Sequence, residues 1–209
     1  MTKIIRLKIG GNWSAADFST CIHHLNRLYQ CHMVMDMAYH DYREMEEYLY
    51  DFPFPSRIRK YRAGQLRQFG LISPNVVELM LSEKDRLEQL LSPTETLTVS
   101  RVRYASPGII DLAGIGKSID ALLNFIKFLI EYCGNHNLRK IERELKSEEL
   151  KEKRIENARM MISTLKELGH SETEIRQMIT LVDESQGVLI ELIANDKIRG
   201  VHIDPKTKN

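Results

Sequence analysis

Hydrophobic and polar positions along this chain change period several times, and each change predicts an element. Residues 4–9 alternate, with Ile5, Leu7 and Ile9 on one side and Arg6 and Lys8 on the other. That is the period of a half-buried strand. Gly10-Gly11-Asn12 ends it. Ser14, three residues before Asp17, opens a helix in the manner of a capping box. Phe18, Ile22, Leu25 and Tyr29 follow at helical spacing and predict its buried stripe. The pattern loosens through Met33, Met35 and Met37 but meets no breaker before Pro53. One helix, or two with a kink, is expected over about 14–50.

Phe52-Pro53-Phe54-Pro55 makes a corner, because each proline lacks an amide donor and turns its predecessor away from helix. Ser73-Pro74 marks the start of a further helix at about 74–91. Residues 96–105 read as a strand. Leu97 and Val99 alternate with polar residues, and Val102 and Tyr104 continue in the opposite phase. A phase change inside one strand predicts a bulge near Ser100, or two short pieces. Ser106-Pro107-Gly108 turns the chain into an apolar helix over 119–133, with Gly134 at its C-cap.

The final third reads as helical throughout. A long charged helix is expected over 138–168, too polar in its middle for a continuous coiled-coil seam. Ser171 and Glu174 form a capping box for the next helix, and Ile175, Met178, Ile179 and Val182 give its buried face. A short last helix is expected at about 187–196, followed by a polar tail at 205–209. The fold class that results is α+β and helix-dominated. A small antiparallel sheet pairs residues 4–9 with about 96–105 and packs on long helices. Residues 1–134 form the α+β unit and 135–209 a helical C-terminal extension.

Composition narrows the function classes. The chain has 209 residues, 43% hydrophobic and 28% charged, with a formal net charge of +1. This is ordinary globular usage, enough for a core without metals or disulfides. The overall balance draws the molecule neither to nucleic acid nor to anionic membrane, so any electrostatic role falls to local patches. Cys21, Cys31 and Cys133 are sparse and odd in number, which fits free thiols in a reducing compartment. The N-terminal residues are interrupted by charge and carry no signal-peptide apolar run. The apolar stretch from Ile109 to Tyr132 is cut by Asp111, Lys117, Asp120 and Lys127 into pieces too short to span a bilayer. A cytoplasmic protein with no membrane span is expected.

Three patterns bear on chemistry. Residues 111–118 read Asp-Leu-Ala-Gly-Ile-Gly-Lys-Ser. Gly114, Gly116, Lys117 and Ser118 resemble the end of a phosphate-binding loop, but Asp111 stands where its first glycine belongs. An aspartate there brings negative charge to the phosphate position. The alternative is that the two glycines simply let the chain turn into a helix. The segment carrying Arg57, Arg59, Lys60, Tyr61, Arg62 and Arg67 is the most basic in the chain, with Phe69 beside it. It is a candidate nucleic-acid contact through phosphates and stacking. The alternative is a solvated face paired with the acidic residues 44–51. His23, His24, His32 and His40 cluster on the first long helix, but none stand four apart, so no helical zinc pair is formed. No metal, cofactor or catalytic residue is assigned. Ser106-Pro107-Gly108 lacks the flanking glycines of a nucleophile elbow.

The stretch from Tyr104 through Ser106-Pro107-Gly108 to Gly116, leading into an apolar helix, resembles segments of small bacterial proteins that also begin with a strand and a long helix. The resemblance covers about the first two-thirds of the chain. It implies a bacterial cytoplasmic origin and no particular activity, cofactor or site residue. The function expected is a non-enzymatic, self-associating interaction or adaptor module, whose partners are itself and possibly a second protein. The alternatives are nucleic-acid binding through 57–69 and degenerate nucleotide binding through 111–118.

Overall fold

The structure is a computed structural model. It describes residues 2–51, 96–104, 107–134, 159, 162–163, 165–166 and 170–204. The elements are β1 (Thr2–Ile9), α1 (Ala15–Asp51), β2 (Thr98–Arg103), β3 (Gly108–Ile115), α2 (Gly116–Gly134), α3 (Glu172–Ala194) and β4 (Ile198–Ile203). The four strands form one antiparallel sheet in the order β2-β3-β1-β4, and the fold is α+β and helix-dominated. Among the described residues, no helix is long and apolar enough to cross a membrane.

The alternation in β1 sets the two faces of the sheet. Ile5, Leu7 and Ile9 pair with Leu112, Ile110 and Gly108 of β3, and all six are buried. They meet Leu25, Leu28 and Tyr29 of α1, Leu122, Ile126 and Leu129 of α2, and Leu189, Leu192 and Ile193 of α3 in one core. Arg6 and Lys8 point to the opposite face, as their period requires.

The expected pairing of 4–9 with 96–105 is not made. β3 lies between them and pairs with both. The segment 108–115 had read as a turn and loop because it holds two glycines and Asp111. Its residues nonetheless alternate across the sheet, with Ile110, Leu112 and Gly114 turned inward. The bulge near Ser100 is present: the β2–β3 register shifts between Val99 and Arg101, and the Ser100 hydroxyl donates to the Asp111 carbonyl at 3.2 Å. That extra residue is why the apolar phase flips within β2.

α1 is one helix over its whole length. Ser14 and Asp17 cap it reciprocally: the Ser14 amide donates to the Asp17 carboxylate at 2.8 Å, and the Asp17 amide donates to Ser14 Oγ at 3.0 Å. Lys197 also bonds that carboxylate, and these contacts hold Asp17 down to about 2, with the Lys197 contact the largest cause. α2 is a core helix, with Ile119, Leu122, Leu123, Ile126 and Leu129 all buried. Lys117, Asn124 and Glu131, seven apart, leave it a narrow polar stripe together with Lys127.

The C-terminal part is more than a helical extension. The Ser171–Glu174 capping box is made as expected. The helix it opens then runs unbroken to Ala194, through Gly187, where two helices had been predicted. β4 follows and pairs with β1, matching Ile5 with Ile203, Arg6 with His202 and Leu7 with Val201. A register shift between Lys8 and Ile9 breaks the alternation of β4 and hides it from a period-two search. The helices expected at 74–91 and over most of 138–168 lie outside the described residues. Of the latter, Leu165 is buried with Cys31, Ile175, Met178 and Leu181 in a second apolar cluster.

Candidate functional site

Among the described strands β2 is the most exposed. All six of its residues are solvent-exposed, and among the described residues no strand pairs with its outer edge. Its side chains divide by face. Val99 and Val102 stand opposite Leu112 and Ile110, so they point to the helix-covered side. The helices do not reach them: they are 37% and 45% exposed, and Tyr104, just beyond the strand, is 66% exposed. Arg101 and Arg103 stand opposite Asp111 and Ile109, on the other side of the sheet.

Tyr104 ties this edge to the start of α1. Its hydroxyl donates to the Trp13 carbonyl at 3.0 Å and accepts from the Trp13 amide at 2.9 Å. Trp13 Nε1 donates to the Gly10 carbonyl at 2.9 Å, and the Trp13 ring meets Phe18 edge-on, with centroids 6.3 Å apart. Trp13, Phe18, Ile22, His23 and Tyr104 line an open groove of about 670 Å³. The groove walls are largely apolar, and the inward side of β2 runs into it at Tyr104.

On the opposite face, the strand register lines up charges. Arg101, Asp111, Arg6 and His202 are consecutive cross-strand partners on β2, β3, β1 and β4. Arg6 grips Asp111 with two bonds of 2.6 and 2.8 Å and reaches Asp204 at 2.6 Å. The Arg6 hydrogen bond is the main reason the Asp111 carboxyl lies below its ordinary range. Burial, with Lys8 and Arg6 nearby, pushes His202 down. Both aspartates are thus taken up by Arg6, while Arg101 is only 3.9 Å from Asp111 and mostly exposed. With Lys8 and Arg103, also exposed, it leaves the face with an excess of positive charge.

The residues that resemble a phosphate loop lie at the junction of β3 and α2. Asp111 to Ile115 are extended strand, and Gly116 begins α2 directly. A Cβ on Gly114 would lie 2.9 Å from the Tyr29 ring, so this glycine makes room for Tyr29, whose hydroxyl accepts from the Ile115 amide at 3.0 Å. Gly116 has φ +61, the left-handed turn that aims the chain into the helix. Lys117 is exposed, and Ser118 is buried with its hydroxyl unbonded. The basic residues Arg57, Arg59, Lys60, Tyr61, Arg62 and Arg67 lie outside the described residues.

His23 and His24 of the first helix meet edge to face, with ring centroids 5.0 Å apart. His24 Nδ1 lies 3.2 Å from Ser185 Oγ on α3, a serine–histidine contact that residue spacing does not reveal. Ser185 is wholly buried, so no substrate reaches its hydroxyl. His32 is half-buried, and desolvation pushes it down. Cys21 and Cys31 are buried and pushed up to about 12, which leaves them protonated and unreactive. Among the described residues, no three His, Cys, Asp or Glu side chains are grouped to hold a metal ion. No family model, curated protein or solved structure matches this chain.

Proposed function

We propose that this chain is a non-enzymatic protein–protein interaction module of the adaptor kind, working in the bacterial cytoplasm and also associating with itself. The observation that carries the reading is the outer edge of β2, with which no strand pairs among the described residues. A free strand edge presents unpaired amides and carbonyls, and proteins ordinarily shorten, cover or distort such an edge. Here it is flanked by exposed Val99, Val102 and Tyr104, which lead into an apolar groove. Exposed apolar surface next to open backbone groups is what strand-adding interaction domains offer a partner. The buried state of Ser185 speaks for an architectural role of its contact with His24. Self-association is referred to the charged helix that the sequence predicts over 138–168.

The test is the native mass of the intact chain. Truncation after residue 137 is unsuitable, because it removes α3 and β4, which belong to the core and the sheet. A mass that is a multiple of 24.3 kDa at micromolar concentration is expected. A mass of 24.3 kDa at every concentration up to the millimolar range refutes self-association.

A further inference from the structure

We infer that the β2 edge takes up an extended segment of a second protein in which apolar and acidic residues alternate. The inference rests on the interaction reading above and names the chemistry of the partner. A strand added at this edge continues the pleat of the sheet, so its side chains sort onto the same two faces. On the helix side they meet Val99, Val102, Tyr104 and the groove formed with Trp13, Phe18 and Ile22. On the other side they meet Arg101 and Arg103. Apolar residues satisfy the first face and carboxylates the second.

Charge decides between this partner and a second copy of the same strand. Two β2 strands paired edge to edge would bring both copies of Arg101 and Arg103 onto one face. Like charges at cross-strand positions oppose pairing, whereas opposite charges favour it. Asp111 offsets the repulsion only in part: it lies 3.9 Å from Arg101 but is bonded at 2.6 and 2.8 Å to Arg6. The other sheet edge is a poorer site, because most of β4 is at least partly covered. Arg101 and Arg103 thus turn β2 away from itself and towards an acidic strand.

The experiment uses the full chain and two fluorescent eight-residue peptides, one of four Val-Glu repeats and one of four Val-Lys repeats. At low salt the Val-Glu peptide binds, and its Kd is about tenfold below that of the Val-Lys peptide. That ratio follows from two cross-strand charge contacts turned from repulsion to attraction. Amide exchange across Thr98–Arg103 slows on binding. The double variant R101E/R103E reverses the preference. Arg103→Glu alone, which faces Ile109 rather than Asp111, narrows the ratio about threefold and keeps the test readable if the double variant fails to fold.

Absence of binding by either peptide at millimolar concentration overturns the inference. So does equal binding of both, or displacement of both by single-stranded DNA, which would assign the arginines to anions in general. The native mass separates this from the broader reading. A multimer that binds neither peptide refutes strand docking and leaves self-association standing. A monomer that binds the Val-Glu peptide does the reverse.

Discussion

Replacing Arg6 with methionine tests the charge row that crosses the sheet. The methionine keeps an apolar stem but removes the guanidinium that bonds Asp111 at 2.6 and 2.8 Å and Asp204 at 2.6 Å. Both carboxylates are nearly inaccessible, at 3% and 6% exposure. Breaking a buried ion pair on one side costs about 3–5 kcal/mol, because an uncompensated charge remains. The Arg6 side chain is 20% exposed, so water reaches part of the network and the lower end, about 3 kcal/mol, is expected. For a chain of this size that lowers Tm by about 6–12 °C. The pH dependence gives an independent check of sign. In the native protein the Asp111 carboxyl is held below its ordinary value, chiefly by Arg6. The stability this gives is fully present above the unfolded-state pKa of about 3.9 and is lost as pH falls through the folded value. The penalty of Arg6→Met is therefore full at neutral pH and shrinks through about pH 5 to 3, as the stranded Asp111 carboxylate protonates. Urea titrations of both proteins across that range measure it. A penalty under about 1 kcal/mol at neutral pH, or one that grows on acidification, refutes the reasoning.

Gly187 sits exposed within α3, and a Cβ there meets nothing within 4 Å. Gly187→Ala therefore raises stability by about 0.5–1 kcal/mol, seen as a higher midpoint in urea; a loss would show that residues 185–189 are not helical. Burial keeps the Cys21 and Cys31 thiols at about 12, so neither reacts with a maleimide in the native protein at neutral pH, while the half-buried Cys133 does so slowly. Mass spectrometry of native and urea-unfolded samples reads this directly, and prompt native labelling of Cys21 or Cys31 contradicts it.

The elements legible in the sequence are those whose signals are local. Ser14 with Asp17 and Ser171 with Glu174 announce helix starts because a cap is made within three residues. The alternation of Ile5, Leu7 and Ile9 marks a strand because each buried residue is separated by one exposed or charged residue. β3 breaks that rule. It lies inside the sheet, next in from β2, and on its outer face Asp111 is buried under Arg6. It is buried along most of its length, so it lacks a polar alternate row, and its glycines look like loop residues until Tyr29 is seen against Gly114. α3 runs through Gly187, near which a separate last helix was expected to begin, because an exposed glycine costs a long helix only about 1 kcal/mol.

The candidate site was half visible for the same reason. The phase change at Ser100 pointed to a bulge or to two short pieces, of which the bulge is present, and Tyr104 stood within the predicted strand. What the period of a strand cannot give is its neighbour. Alternation assigns side chains to faces, whereas edge or centre depends on which other strands exist. With β3 unrecognised, β2 had been placed against β1 as one of only two strands. With β3 in place, β2 becomes an edge, and the meaning of its residues changes. Val99 and Val102 at a central position would have been ordinary core. At the edge they are apolar groups that the helices leave uncovered, and the arginines beside them decide what can cover them. A basic row discourages pairing with an identical strand and leaves the backbone open to an acidic one. On the proposed reading the same two side chains oppose aggregation and select the partner, so Arg101→Thr/Arg103→Thr is expected to lower solubility and, in the peptide titration, to remove the preference for Val-Glu over Val-Lys.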